Sequence, residues 1–99
     1  MKRLFLTAAV TLFVANSHAA ATYAGKAKAE AVCSQCHGLK TAPKGAPFPQ
    51  LFGRDFAYLQ TALQQYRDKT RKSDIMNAVA GSLSDEDIEN IAAYYDNKH

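Results

Sequence analysis

The sequence contains no tryptophan, only two cysteines, no internal repeat and no run with the alternating apolar pattern of a β-strand. With 99 residues, the chain is too short for a doubly wound nucleotide-binding fold or an α/β barrel. Hydrophobic residues make up 47% and charged residues 21%, a balance that excludes a disordered chain. The sequence therefore specifies one small domain at most and excludes the folds of large enzymes.

The N-terminal segment has the pattern of an export signal. Two basic residues precede an unbroken stretch of apolar residues and threonines over residues 4–15. Small side chains at Ser17 and Ala19 occupy the two positions that a signal peptidase recognises, which predicts cleavage after Ala19. The apolar stretch is well short of the roughly 20 residues that span a bilayer. We therefore predict that residues 1–19 form a cleaved signal peptide and that residues 20–99 form a periplasmic domain with no stable membrane insertion.

The net charge of +3 is carried largely by this leader. Cleavage removes two of the 12 basic residues and leaves ten against nine acidic residues. Such a domain lacks the basic excess of a nucleic-acid-binding protein, so we predict no nucleic-acid partner. The remaining charges are unevenly distributed, since basic residues dominate residues 26–72 while residues 74–96 contain six acidic residues and no basic one.

The mature domain needs support beyond its hydrophobic core. Removing 19 of the 99 residues leaves 80, and a core of that size supplies only about 3–5 kcal/mol, so small domains commonly add a covalent or metal-based link. An exported protein can form disulfides, but one between Cys33 and Cys36 would close a very short loop and gain little chain entropy. The cysteine pair therefore indicates another kind of link.

The five residues from Cys33 onward read Cys-Ser-Gln-Cys-His, the C-x-x-C-H attachment pattern of c-type haem. On a helix, Cys33 and Cys36 lie on one face, so both thiols can reach the vinyl groups of one porphyrin. His37 follows directly and places an imidazole where a nitrogen can bind the iron. A thioredoxin-like redox pair would need a βαβ surround that the chain lacks, and a zinc site would need further ligands, for which only His18 and His99 offer additional histidines.

Four further features occur in the order found in one protein family. Gly25 precedes Cys33 by eight residues, residues 49–53 form a Pro-x-Leu-x-Gly segment, Met76 follows at the usual separation, and residues 83–95 look like the family's closing helix. With the attachment pattern, the chain resembles the class I cytochromes c, in particular the short bacterial monohaem type that is similar to one half of a dihaem cytochrome c4. The resemblance covers essentially the whole mature chain and implies an all-α fold of three to five short helices around one covalently bound haem.

The resemblance also implies how the haem is held. One haem c is attached through Cys33 and Cys36, with His37 and Met76 as the two axial ligands of its iron. Met76 is the only methionine of the mature chain, and without the resemblance we would interpret it as a core residue. Histidine and methionine together raise the reduction potential relative to more basic ligand pairs and leave no open coordination position.

Further residues of the site are implied in the same way. In the family, a proline carbonyl accepts the other ring N–H of the proximal histidine, which orients His37 and raises its basicity. Pro49 fits this role through the Pro-x-Leu-x-Gly segment, and Pro47 remains an alternative. Leu51 and Phe52 are implied to line the haem edge.

Local patterns predict a first helix from Thr22 to Cys36. The stretch is rich in alanine, and Thr22 is a possible N-cap. Gly25 inside it costs about 1 kcal/mol relative to alanine, which indicates a packing requirement. The resemblance supplies one, because the two terminal helices of the family cross there and Tyr94 would pack on the bare backbone of Gly25.

A loop and three further helices are predicted to follow. Residues 38–53 carry turn residues without an apolar period, which predicts a loop. Asp55 is the predicted N-cap of the next helix, and Tyr58 or Tyr66 in that helix can reach a haem propionate. A short helical turn over residues 74–80 carries Met76, and a capping box of Ser84 and Asp87 opens the last helix. The predicted buried faces of the second and last helices are Phe56, Leu59, Leu63 and Tyr66, and Ile88, Ile91, Ala92 and Tyr95.

The function that the resemblance implies is electron transfer between redox proteins. We predict a one-electron carrier that cycles between Fe(II) and Fe(III), is not an enzyme and has no catalytic residues. Lys40, Lys44, Arg71 and Lys72 are predicted to rim the haem edge and steer partners with acidic docking surfaces, although the same residues also fit an ordinary solvated surface. Two alternatives stay open: the electron-accepting subunit of a larger dehydrogenase such as a flavocytochrome, and a haem catalyst or sensor with a labile sixth ligand.

Overall fold

The structure is a computed structural model and describes residues 17–45 and 47–96. Within these ranges the chain forms five helices and no strand: α1 (Ser17–Val32), α2 (Ser34–His37), α3 (Phe56–Asp68), α4 (Asp74–Gly81) and α5 (Asp85–Asp96). The predicted all-α fold is confirmed. Most of the predicted leader and His99 lie outside the described residues. In the described part of the chain, no helix combines the length and the apolar composition needed to cross a membrane.

The two terminal helices, α1 and α5, pack against each other at Gly25. A Cβ added to this buried glycine would overlap the backbone carbonyl of Asn90 and come within 3.0 Å of the Tyr94 Cβ. Only a residue without a side chain allows this approach, so the predicted packing role of Gly25 and its predicted neighbour Tyr94 are confirmed. Ala29, one turn further along α1, is also fully buried and belongs to the hydrophobic core.

The first helix begins earlier than predicted. It starts at Ser17, so Thr22 lies inside α1 and the prediction that Thr22 is its N-cap is wrong. Three alanines at positions 19–21 precede Thr22, and their high helix propensity explains the extension. The helix is interrupted at Cys33 and resumes as α2, but the N–H of His37 still donates to the Cys33 carbonyl oxygen at 3.0 Å.

The predicted loop and the next helix are both present. The chain between α2 and α3 is irregular over its described residues, and Asp55 caps α3 by accepting hydrogen bonds from the N–H groups of Ala57 (3.0 Å) and Tyr58 (3.4 Å). Leu59 and Leu63 are buried. The α3 helix thereby presents its predicted apolar face to the core.

The capping box predicted at the start of α5 is confirmed. The Ser84 hydroxyl oxygen accepts from the Asp87 N–H at 2.9 Å, and the Asp87 carboxylate accepts from the Ser84 N–H at 3.0 Å. The bond from Ser84 holds the pKa of the Asp87 carboxyl below its ordinary value. The predicted apolar face of the helix is at most 1% exposed at every position: Ile88, Ile91, Ala92 and Tyr95.

Tyr95 connects α5 to both ends of the irregular segment that follows α2. Its hydroxyl donates to the Gly38 carbonyl oxygen at 2.8 Å, and its own carbonyl oxygen accepts from the Gly53 N–H at 2.7 Å. Because Tyr95 is fully buried, both bonds lie against the core. These two hydrogen bonds hold both ends of the irregular segment, which carries Pro49 and Leu51, against the last turn of α5.

Candidate functional site

A cavity of about 290 Å³ lies between the cysteine-containing segment, the irregular segment after it, α3 and α4. Most of its lining side chains are aliphatic or aromatic, and α5 contributes to its inner wall. Six of the residues that sequence analysis assigned to a cofactor line this one cavity: Cys33, Cys36, His37, Pro49, Leu51 and Met76. The fold thus brings together residues that are up to 43 positions apart, from Cys33 to Met76.

Cys33 lies at the break between α1 and α2, Cys36 lies within α2, and the two are not joined in a disulfide. Cys33 is buried and Cys36 is half-buried. Burial raises the pKa of the Cys33 thiol to about 11, although a hydrogen bond with the Tyr95 side chain opposes this effect. Both cysteines line the cavity, and both come from the same short stretch of chain.

The His37 ring is buried and held by a single hydrogen bond to the backbone. Its Nδ1 lies 2.7 Å from the Pro49 carbonyl oxygen. A carbonyl oxygen only accepts, so in the neutral imidazole the proton is on Nδ1 and Nε2 keeps a free lone pair. The Phe48 ring packs edge-on against the imidazole, with centroids 6.0 Å apart. Of the two prolines considered from the sequence, Pro49 makes the hydrogen bond.

Met76 reaches the cavity from the first turn of α4. Ser73 is the N-cap of this helix, and its hydroxyl oxygen accepts from the Met76 N–H at 3.2 Å. The Met76 side chain is half-buried and packs against the core cluster. A thioether from α4 and an imidazole from α2 thus line the same apolar space.

Two arginines and two tyrosines line the cavity on its α3 side. The Arg54 guanidinium lies 5.5 Å from the centre of the Tyr58 ring, and the Arg71 guanidinium lies 5.9 Å from Tyr58 and 5.5 Å from Tyr66. Tyr58 is 46% exposed, so this side of the cavity reaches the surface. Sequence analysis did not assign Arg54 to the site, because nothing in its local sequence distinguishes it from a solvated arginine.

The remaining predicted residues are placed elsewhere. Phe52 was expected beside Leu51 at the cavity, but its ring packs against Tyr94 with centroids 6.0 Å apart. The side chains of adjacent residues in a turn point in different directions, which explains why, of these two residues, only Leu51 lines the cavity. Lys40 is exposed, its Nζ lies 6.0 Å from the centre of the Phe52 ring, and it does not line the cavity.

Comparison with known proteins gives a consistent result. Residues 20–94 match the family described as cytochrome C oxidase, cbb3-type, subunit III. Cytochrome c-554(548) of Halomonas halodenitrificans is 41% identical over 66 residues, which are 64% of this chain and 80% of that protein. Cytochrome c4 of Pseudomonas aeruginosa is 36% identical over 97 residues, which are 96% of this chain but 48% of that protein.

Two further similarities concern function and fold. A protein of Stutzerimonas stutzeri named thiosulfate dehydrogenase electron acceptor is 37% identical over 68 residues, 66% of this chain and 32% of that protein. The crystal structure of reduced cytochrome c4 from Pseudomonas stutzeri superimposes with a TM-score of 0.72 at 29% identity, covering 82% of this chain and 50% of that one. The chain therefore spans about half the length, or less, of several relatives that it matches.

Proposed function

Since this chain belongs to the cytochrome c family, whose members transfer electrons on covalently bound haem c, we propose that it is a periplasmic monohaem carrier of single electrons. The observation that carries the proposal is the convergence of two thiols, an imidazole and a thioether on one apolar cavity. When bound, haem c supplies reversible one-electron chemistry at its iron, between Fe(II) and Fe(III). The domain 20–99 would act after removal of residues 1–19.

The donor set of the cavity fits a c-type haem. Cys33 and Cys36 are three residues apart on a helical segment, which suits attachment to two vinyl groups of one porphyrin. His37 would bind iron through Nε2, because Nδ1 is engaged with the Pro49 carbonyl. Met76 would supply a second protein ligand to the same iron through its sulfur.

The side of the cavity that carries two arginines fits the propionate carboxylates of a haem. A haem carries two propionate carboxylates, and Arg54 and Arg71 present guanidinium groups where the cavity meets the surface. Guanidinium groups form strong charge-assisted hydrogen bonds with carboxylates. We assign Arg54 and Arg71 to the propionates.

The protein's contribution to electron transfer is to keep the ligands in one arrangement. Because Cys33 and His37 are buried and Pro49 fixes the imidazole, the iron would change valence with little movement of its surroundings. With haem c bound, the apolar lining would limit the access of water to the iron and favour the less charged state of the site. The exposed Tyr58 marks the side on which a redox partner can approach.

Mass analysis of periplasm-expressed protein tests the proposal. We expect the polypeptide to carry one haem that withstands denaturation and extraction, and the reduced form to show a c-type spectrum. Replacing both Cys33 and Cys36 with alanine should leave a polypeptide without covalent haem, because no other cysteine is present. Ser34→Ala is the matched control, since the Ser34 hydroxyl only donates to the Glu30 carbonyl oxygen. Bare polypeptide in the unsubstituted protein would rule the proposal out.

A dependence of electron transfer on ionic strength tests the proposed acidic partner. Lys40, Lys44 and Lys72 are exposed, and such charges attract an acidic surface over about 30 Å at 0.01 M salt but only about 8 Å at 0.15 M. We expect stopped-flow rates with an acidic redox protein to fall with salt, and the three lysine-to-glutamate changes together to slow the low-salt rate about tenfold or more. Lys28→Gln is the control, because Asp87 lies 3.6 Å from that ammonium group. Rates that do not vary with salt contradict steering.

A second candidate function is that of a haem subunit in a larger dehydrogenase. It is favoured by the similarity to the thiosulfate dehydrogenase electron acceptor and to a protein of Chlorobaculum tepidum named cytochrome subunit of sulfide dehydrogenase. Purification from the native organism distinguishes the two candidates. A carrier elutes as a single small polypeptide, whereas a subunit elutes with a second, larger chain.

A further inference from the structure

The side chain of Asn77, the residue after Met76, joins three segments of the chain. Its Nδ2 donates to the carbonyl oxygens of Tyr66 at 2.8 Å and Arg71 at 2.9 Å. Its Oδ1 accepts from the Ser73 N–H at 3.1 Å. Both N–H donors of the amide and its acceptor are thus in use, and the side chain is half-buried.

The bond to Tyr66 connects α4 to the end of α3. Tyr66 lies in the last turn of α3, where carbonyl oxygens have no partner further along the helix. The chain leaves the helix at Lys69, which has a left-handed backbone (φ 71°) and donates its N–H to the same Tyr66 oxygen at 3.2 Å. Asn77 therefore gives the Tyr66 carbonyl oxygen a second donor and holds α4 beside α3.

The other bonds fix the turn that leads into α4. The Ser73 N–H donates to the Asn77 side chain, and the Ser73 carbonyl oxygen accepts from the Asn77 N–H at 2.7 Å. The Ser73 hydroxyl oxygen in turn accepts from the Met76 N–H. The backbone of Met76 is therefore linked to Asn77 through Ser73, and Asn77 is linked to α3.

We infer that Asn77 is a positioning residue that holds the Met76 sulfur at the haem iron. The inference rests on the proposed function, because it takes Met76 as the sixth ligand. A methionine side chain is unbranched and flexible, so its sulfur stays in place only if the backbone that carries it is fixed. Asn77 fixes that backbone against α3, the helix that also lines the cavity. It thereby keeps the sixth coordination position closed to external ligands.

Imidazole binding to the oxidised, haem-loaded protein tests this inference. Imidazole competes with Met76 for the iron, so its apparent affinity rises with the fraction of molecules in which the sulfur has left. We expect Asn77→Ala to bind imidazole about tenfold or more tightly than the unsubstituted protein. Gln65→Ala is the matched control: Gln65 accepts from the Arg71 Nε at 3.2 Å beside the same turn and makes no hydrogen bond to α4. Its imidazole affinity should stay within about twofold.

A purely structural role of Asn77 predicts a different result. In that case Asn77→Ala lowers the denaturation midpoint while its imidazole affinity stays within about twofold of the unsubstituted protein, which would overturn the inference. If Asn77→Ala does not accumulate as folded protein, Asn77→Asp gives the same comparison. It keeps an acceptor for the Ser73 N–H but loses both donors and places a carboxylate against the carbonyl oxygens of Tyr66 and Arg71.

The same titration separates this inference from the proposed ligation. Met76→Ala should bind imidazole more tightly than either Asn77 variant, because no internal ligand competes. If Met76→Ala has the affinity of the unsubstituted protein, Met76 is not the sixth ligand and the proposed ligation is wrong. If Met76→Ala binds more tightly and the Asn77 variants do not, only the positioning role of Asn77 is wrong.

Discussion

Replacing Met76 with alanine is expected to abolish the sulfur-to-iron charge-transfer band of the oxidised protein and to lower its reduction potential. A thioether stabilises the reduced iron relative to water or a second basic ligand, so its loss favours the oxidised state. Axial ligands set haem potentials over a range of about 0.8 V, and we expect the shift to be a substantial part of that range. Visible spectroscopy and a redox titration of the haem-loaded variant measure both effects.

The matched control is Val79→Ala on the same helix. Val79 also lines the cavity and is half-buried, but its side chain has no atom that binds iron. We expect the control to keep the charge-transfer band and to shift the potential far less than Met76→Ala. A band and potential that survive Met76→Ala unchanged would show that another group occupies the sixth position.

Replacing Gly25 with alanine is expected to destabilise the protein by forcing the two terminal helices apart. The new Cβ would overlap the Asn90 carbonyl of α5, and a backbone carbonyl cannot rotate away as a side chain can. Overpacking of this kind costs about 1–3 kcal/mol, whereas the gain from alanine over glycine inside a helix is about 1 kcal/mol. Because a backbone carbonyl cannot move aside, we expect the upper end of this cost and a net loss of up to about 2 kcal/mol in the free energy of unfolding, measured by denaturant titration of haem-loaded protein.

Gly81→Ala is the control for this prediction. Gly81 also lies in a helix, but a Cβ added there meets no atom within 4 Å and its backbone has no positive φ. The substitution should therefore stabilise the protein by about 0.4–1 kcal/mol, through the reduced entropy of the unfolded chain. A Gly25→Ala protein as stable as Gly81→Ala would show that the terminal helices separate at no cost.

The predictable parts of the fold are those that depend on a few neighbouring residues. Asp55 caps α3, and the capping box of Ser84 and Asp87 opens α5, because each involves residues two or three apart. The error at Thr22 has the same origin, since a local capping signal competed with the helix propensity of three preceding alanines, and the propensity prevailed.

A smaller part of the site than of the fold could be predicted from the sequence. The resemblance supplied Gly25 with its neighbour Tyr94 and six of the residues that line the cavity, because these occur in a fixed order along the chain. Arg54 and the hydrogen bonds of Asn77 carry no such pattern. Their contacts join residues that come together only when the helices pack. The hydrogen bond from Asn77 to Tyr66, for example, joins residues 11 positions apart.

The sequence by itself determined the class of the protein, the short attachment motif and the helices, because these follow from covalent order and local propensity. Tertiary structure decided which proline carbonyl meets His37, that Leu51 rather than Phe52 faces the cavity, and that Asn77 ties the Met76 backbone to α3. Each of these depends on the direction in which a side chain or carbonyl points. That direction is set when the helices pack, since packing selects among conformations that local interactions leave nearly equal in free energy.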